Sequence, residues 1–461
     1  MDSTEVSHLL HTVADSSAAY LADLDTRPVP AELTVAEVRD RLDAPLAEVG
    51  VDAADIVREL ATLGEVATTA SAGPRNFGFV IGGTLPAALG AELLSVAWDQ
   101  NAAMAVMSPL ASVAEEVAGR WIIELLGLPA SSAIGFVTGG QSANTTCLAV
   151  ARHHVLAEHG WDVEQQGLHN APEVTVIVGR QRHATIDQAL RVNGFGAPTI
   201  VIEADDQGRM HPDELARVAG SIDGPAIICV QAGNVVTGAF DPIEEIVPIA
   251  RELGAWVHVD GAFGGWAAAS PPYEHLTAGM DGADSWAVDG HKMLNVPYDC
   301  GYAVTAHPES HRATCSSTAS YYVLDGEDQP RDGMSWVLDA SRRARGVSTY
   351  AALRSLGRSG VGELIDRCCT NARLFAELAS QEAGIEVLND VVFNQVVLRF
   401  HDDDEHTKAV IAAIQREGTF WAGGATWNGQ EVMRVSVANW ATTASDIERS
   451  AGAMLDAHRT L

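Results

Sequence analysis

The chain has 461 residues, 47% of them apolar and 6% aromatic, with a formal net charge of −32. This is the composition of a globular protein long enough for a large core or several domains. The charge argues against nucleic acid and against an anionic membrane surface as partners. No uncharged apolar run reaches the ~18 residues needed to cross a membrane.

In chain order, the first 70 or so residues read as helices. Val35–Leu42 and Ala53–Leu63 carry apolar residues at helical spacing. A glycine-rich loop follows at Gly73-Pro-Arg-Asn-Phe-Gly-Phe-Val-Ile-Gly-Gly83, and helices are expected at 87–98 and 112–126. From about residue 134 the texture changes. Buried strands are predicted at 175–179, 199–203, 226–230 and 255–260, with helices at 144–159, 212–219 and 243–253 between them. Such alternation means an α/β architecture with a mostly parallel sheet covered on both faces. Ser317–Ser341 is the main irregular stretch. Beyond Arg345, a long helical run leads to strands at 385–388, 391–400 and 432–437 and helices at 407–416 and 445–457, a small α+β module. The expected division is a helical segment 1–92, a large α/β domain 93–350 and a small domain 351–461.

The six cysteines show no CxxC pairing and no His-x-His partners at metal spacing, so free thiols in a reducing compartment, and no metal, are expected. Met1–Val6 has neither a basic nor an apolar leader signature, which makes the cytoplasm the default location.

Lysine occurs only twice, at Lys292 and Lys408, against 29 Lys plus Arg. Lys292 lies among apolar and small residues in Asp284-Ser-Trp-Ala-Val-Asp-Gly-His-Lys-Met-Leu294. Arginine can supply a charge, but only lysine can lose a proton and form an imine with an aldehyde. Taken alone, Lys292 reads more readily as a surface cation on a strand end. In open α/β sheets, however, ligands bind beyond the carboxyl ends of strands, and four further features fall there. Asp260 closes the strand Trp256-Val-His-Val-Asp260, whose alternation puts Trp256, His258 and Asp260 on one face. Gly135-Phe-Val-Thr-Gly-Gly-Gln-Ser-Ala-Asn144 opens a helix with a glycine-rich turn, a ready anion site that is neither a Walker loop nor GxGxxG. His183 follows the strand ending near Gly179, and Asn234 follows the strand 226–230. An anion cradle, a ring stacker, a carboxylate for a ring nitrogen and an imine-forming amine together suit pyridoxal phosphate.

These segments resemble the group II pyridoxal-phosphate-dependent amino acid decarboxylases, the family of the aromatic-L-amino-acid, tyrosine, histidine and glutamate decarboxylases. The resemblance rests on His258-Val-Asp-Gly-Ala-Phe-Gly-Gly265, Asp284–Lys292, Val296-Pro-Tyr-Asp-Cys-Gly301, Ser108-Pro, Thr138–Asn144, His183 and Ser341-Arg-Arg-Ala-Arg345. It implies the fold type I aminotransferase architecture and a homodimer whose sites lie at the subunit interface. Carried over residue by residue, it implies that Lys292 binds the cofactor covalently and Asp260 holds the pyridinium N–H. His183 would stack on the ring, with Ala262 on the other face. Ser142 and Ala143 would cradle the phosphate, and Asn234, Asp289 and His291 would complete the shell.

One departure stands out. Family decarboxylases often carry a loop tyrosine about ten residues before the double arginine, and counting back from Arg342-Arg343 reaches Gly333. Tyr321 and Tyr322 lie further upstream and are the candidate substitutes. The expected reaction is α-decarboxylation of a small-molecule L-amino acid to amine and CO2. The alternatives are aldehyde synthesis by decarboxylation with oxidative deamination, C–C lyase chemistry, a catalytically idle binding relative, and a Rossmann-type nucleotide binder. Phe77, Phe79 and Trp98 mildly favour an aromatic or apolar side chain, whereas Arg75 could hold a carboxylate.

Overall fold

The structure is a computed structural model that describes residues 3–316 and 331–461. The chain divides into two compact units, one formed by residues 1–81, 374–387 and 397–461 and the other by 82–373 and 388–396. The chain leaves and re-enters the first unit, which no reading into three consecutive segments contains.

The second unit is built on a seven-stranded sheet. Its strands are β1 (Ala133–Val137), β2 (Thr175–Gly179), β3 (Ile200–Ile202), β4 (Ala226–Gln231), β5 (Trp256–Asp260), β6 (Ser285–Asp289) and β7 (Gly301–Thr305), in spatial order β1-β7-β6-β5-β4-β2-β3. Only β7 runs antiparallel to its neighbours, β1 and β6. Strands β4, β5, β6 and β7 are buried along their whole length. They therefore read as near-continuous apolar runs, the signature of a sheet covered on both faces. The helix Gly140–Ala157 packs across this sheet, and Leu148, Val150, Ala151 and Val155 join Val176, Val178, Ile227 and Trp256 in one core cluster. Each such side chain contributes roughly 1.5–3 kcal/mol on burial.

Between β1 and the helix Pro109–Leu125 lies a buried ion pair. Arg342 donates to both carboxylate oxygens of Glu115, at 2.7 and 2.6 Å, and to the carbonyls of Phe136 and Ala102. Gly333 opens a short 3₁₀ turn, Gly333–Trp336, and is itself buried. A Cβ there would meet the Arg342 guanidinium and lie 2.6 Å from the Ala102 carbonyl oxygen.

The first unit carries a four-stranded sheet of β8 (Ile385–Val387), β9 (Gln395–Phe400), β10 (Gly423–Trp427) and β11 (Gln430–Ser436), in order β10-β11-β9-β8. The helices Asp404–Glu417 and Ala444–Thr460 belong to the same unit. The segment 73–81 also belongs here. Phe77 is fully buried against Phe375 and Phe420, and Phe79 stacks on Trp421. Arg75 is 1% exposed and spends its guanidinium on the carbonyls of Asp25, Arg27 and Thr419 and on Asp446. A reading of Arg75 as a holder of substrate carboxylate, or of Phe77 as a pocket wall, is therefore corrected: both are committed to this unit's interior. Among the described residues, no helix is long and apolar enough to cross a membrane.

Candidate active site

Every candidate residue within the described range sits at the carboxyl end of β1, β2, β4, β5 or β6, either as the last residue of the strand, on the loop after it or in the first turn of the following helix. Lys292 follows β6 by three residues. Its Nζ lies 3.0 Å from Oδ2 of Asp289, the last residue of that strand, whose side chain is almost wholly buried. Lys408, the other lysine, pairs with Glu405 on an exposed helix face. One lysine pairs on the surface and the other is placed beside a buried carboxylate.

The other oxygen of Asp289, Oδ1, is buried without a hydrogen bond, and His291 Nε2 stands 3.5 Å away. A buried carboxylate oxygen left unpaired costs about 1–3 kcal/mol, and such a cost marks a place for a ligand. His291 accepts the Cys300 N–H at Nδ1 and stacks on Tyr298 at 4.2 Å. Burial, helped by the charge of Lys292 and opposed by that of Asp289, leaves His291 below the ordinary imidazole range, so it is neutral at pH 7.

Over these groups lie Gly139 and Gly140. A Cβ on Gly139 would stand 2.8 Å from His291 Cε1, and one on Gly140 would stand 3.0 Å from Asp289 Oδ2 and 3.5 Å from the Ala262 Cβ. The bare backbone here is a cradle that side chains would fill. The first intrahelical bond runs from Ala143 N–H to Gly139 O, at 2.9 Å. The donors upstream of it are the N–H groups of Gly140, Gln141 and Ser142, which makes this terminus an anion site. The Ser142 hydroxyl lies 2.7 Å from Thr138 Oγ1, while the Ala143 N–H is already used by the helix.

Asp260 is held from two sides. Its Oδ1 accepts the Ala262 N–H at 3.3 Å, and its Oδ2 accepts from Asn144 Nδ2 at 3.2 Å. Asn144 is fully buried and makes two further bonds, from Nδ2 to Thr185 Oγ1 at 3.1 Å and from His258 Nε2 to its Oδ1 at 2.9 Å. His258 reaches Ser285 Oγ through Nδ1, and Trp256 Nε1 donates to the same oxygen. Burial pushes His258 down to about 3, so it is a neutral imidazole. The proton directions then follow without ambiguity. Trp256 donates to Ser285 Oγ, the Ser285 hydroxyl donates to His258 Nδ1, His258 donates from Nε2 to Asn144 Oδ1, and Asn144 Nδ2 donates to Asp260. A neutral chain thus delivers an N–H to a carboxylate and leaves its charge for a partner on the open side.

The same Thr185 hydroxyl lies 2.8 Å from His183 Nδ1, which also accepts the Thr185 N–H as the cap of the helix Ala184–Val192. His183 is exposed at the mouth. Asn234 is engaged differently from the other candidates. Its amide donates to the Gln181 carbonyl, and its oxygen accepts from Val236 and Thr237, which locks the loop after β4. Tyr321 and Tyr322 lie outside the described residues.

Three groups escaped the motif reading. Asn144 was seen only as the end of a glycine turn, although a buried amide in a first helical turn needs partners. Thr185 links His183 to Asn144 across a sequence separation of 41 residues. Tyr298, over His291, has its phenol pushed up to about 12, mainly by desolvation and then by Asp289.

A lysine amine on a buried carboxylate, an aspartate fed by a neutral relay and a helix terminus with bare glycines together fit a pyridoxal-phosphate site on an α/β scaffold. The comparisons with known proteins agree. Residues 38–401 match the model of the pyridoxal-dependent decarboxylase conserved domain. Human cysteine sulfinic acid decarboxylase is 25% identical over 399 residues, covering 81% of this chain and 80% of that protein. The mouse acidic amino acid decarboxylase GADL1 is 26% identical over 70% of this chain and 59% of its own length, so the chain spans about three-fifths of that relative. Phenylacetaldehyde synthase of Petunia hybrida is 27% identical over 67% of this chain and 62% of its own length. Among solved structures, mouse CSAD superposes with a TM-score of 0.92 at 22% identity, covering all of both chains. Oryza sativa TDC with PLP and tryptamine superposes with a TM-score of 0.91 at 22% identity, covering 100% of this chain and 99% of that one.

The chain belongs to the pyridoxal-dependent decarboxylase family. It is a carboxy-lyase of fold type I whose cofactor is pyridoxal phosphate.

Proposed function

We propose that the protein removes the α-carboxylate of an L-amino acid to give the amine and CO2. The observation that carries this reading is the pairing of Lys292 Nζ with buried Asp289 at 3.0 Å, next to the glycine cradle. When bound, pyridoxal phosphate supplies the electron sink for the breaking Cα–carboxylate bond. In this assignment Lys292 is the covalent anchor and Asp260 keeps the ring nitrogen protonated. Gly140, Gln141 and Ser142 offer N–H groups to the phosphate. His183 stacks on the ring, Ala262 packs its other face, and Asp289 and His291 flank the amine. The preference for an aromatic or apolar side chain rested partly on Phe77 and Phe79. Phe77 is buried within the first unit and Phe79 is an exposed ring stacked on Trp421, and the proposal stops at the class of reaction.

A second reading is favoured by one observation. Gly333, where the family's loop tyrosine is counted to fall, is packed against Arg342 and has no room for a side chain. Without that proton donor, decarboxylation coupled to oxidative deamination becomes accessible. It consumes O2 and water and gives aldehyde, CO2, ammonia and hydrogen peroxide. A panel of L-cysteine sulfinate, L-aspartate, L-glutamate, L-phenylalanine, L-tyrosine and L-tryptophan, assayed for CO2, amine, aldehyde and peroxide, separates the two. Borohydride reduction should fix cofactor mass on the Lys292 peptide, and Lys292→Ala should lose the visible absorbance and on the order of a thousandfold or more in turnover. Cofactor mass found elsewhere would overturn the assignment.

The proposal also takes the working form to be a homodimer, with sites at the interface. The helix Pro86–Ala97 is almost entirely apolar yet buries only Ala88 and Ser95, and Leu93, Val96, Val106, Leu110 and Val113 are each more than half exposed. Six buried free cysteines support a reducing, cytoplasmic location.

A further inference from the structure

The first unit contains a histidine cluster that plays no part in the chemistry above. His401 lies in the turn after β9, His406 in the first turn of the helix Asp404–Glu417, and His458 in the last turn of the helix Ala444–Thr460. One ring nitrogen from each lies within 4.8 Å of the other two. The three rings are 4.7 to 5.2 Å apart between centroids. The spacing of 401, 406 and 458 follows no short metal motif, so a reading for CxxC or His-x-His patterns passes over it.

Tautomers decide what the cluster can do. His458 is 4% exposed, and its Nε2 faces the Ala383 carbonyl oxygen at 3.1 Å. A carbonyl only accepts, so Nε2 carries the proton and neutral His458 presents a bare lone pair at Nδ1. That lone pair points at His406 Nε2, 3.0 Å away. A histidine whose far nitrogen is fixed on a backbone carbonyl is the usual arrangement behind a metal-ligating imidazole. His406 thus turns its Nε2 into the same space, and shifting its proton to Nδ1 frees a second lone pair there. His401 is exposed on a turn and can adjust its ring.

We propose that His401, His406 and His458 form a binding site for a divalent transition cation, with Zn2+ as the natural probe and water as the fourth ligand. The site is empty in this structure. Three imidazoles and one open position suit Zn2+, Cu2+ or Ni2+, not Mg2+ or Ca2+. Zn–N bonds of about 2.0–2.1 Å in a tetrahedron put ligand nitrogens roughly 3.3 Å apart. The His406–His458 pair has to open by a few tenths of an ångström and His401 has to close in. Coordination replaces the His406-to-His458 hydrogen bond, and the His406 proton moves to Nδ1. No oxidant or further reactant is required. The bound cation ties the end of β9, the start of one helix and the end of the chain's last helix, so its effect is on the stability of this unit. The net charge of −32 favours cation capture over long range.

The test uses the full chain loaded with pyridoxal phosphate, stripped of metals with a chelator and titrated with Zn2+ against a chromophoric competitor. One Zn2+ per chain at micromolar or tighter affinity is expected, with a rise in Tm. His401→Ala, at an exposed position, and His406→Ala should each weaken binding tenfold or more and remove the Tm rise, while the visible absorbance of the lysine-bound cofactor stays unchanged. The proposal is overturned by absence of tight binding in the parent protein, or by equal binding in the parent and the His401→Ala/His406→Ala double variant.

Discussion

At the level of single residues, the site turns on Asn144 rather than on the charged groups it serves. Its carboxamide donates to Asp260, and the same group receives the His258 proton. Removing it leaves the buried His258 Nε2–H without a partner and takes one hydrogen bond each from Asp260 and Thr185, at about 1–3 kcal/mol for each buried group that finds no water. Asn144→Ala should therefore weaken cofactor binding about tenfold or more, lower Tm, and leave the mass attached by borohydride at Lys292. An unchanged cofactor affinity would show that Asp260 is held by the Ala262 N–H alone. The sequence made Lys292 and Asp260 legible because their chemistry is rare in type and position. Strand alternation also put His258 on the Asp260 face. Asn144 was not legible in its role, because its three partners come from β5 and from the first turn of a helix 41 residues away, and no local pattern encodes such distances.

Among the elements, strands and helices with a clear period were readable nearly to the residue. Thr175–Gly179, Pro212–Ala219, Ile243–Leu253 and Val35–Leu42 stand where periodicity puts them. Strand β10 was not, since Gly423-Gly424 lowers strand propensity and pairing with β11 supplies the order. The antiparallel direction of β7 was equally hidden, because a five-residue apolar run carries no polarity of its own. The exposed apolar face of Pro86–Ala97 and of the start of Pro109–Leu125 has a consequence that can be measured. Leu110 and Val113 are about half exposed on the same helix face, three residues apart. A Leu110→Glu/Val113→Glu protein should be monomeric by light scattering, with the parent a dimer, and should lose activity if sites need both subunits. A parent protein that is monomeric at micromolar concentration would remove the dimer from the proposal.

For the whole molecule, acid stability follows from groups buried in an unfavourable charge state. Burial pushes His258 down to about 3 and His311 down to about 4. In the unfolded chain both titrate near the ordinary histidine value of about 6.5. Below that pH the unfolded state binds protons that the folded state refuses, so stability falls as pH falls from about 6.5 toward 4 and 3, and is unaffected by these groups above 6.5. Asp241 acts in the opposite sense. Burial raises it to about 6, against the N–H groups of Met210 and Gln231 that favour its charge. Between about 4 and 6 the folded state holds a proton there that the unfolded state does not, so acidification relieves a cost. Two histidines displaced by about 2.5 units or more outweigh one carboxyl displaced by about 2, which leaves a net loss of a few kcal/mol, roughly, between pH 7 and pH 4. The denaturant midpoint of the cofactor-saturated protein should fall across that interval. His258→Gln should be less stable at pH 7, because Ser285 and Asn144 lose their shaped partner, yet show a shallower decline toward pH 4, because one refused proton is gone. A variant whose midpoint tracked the parent in parallel at every pH would mean that His258 is protonated in the folded protein. The neutral relay to Asp260 would fail with it.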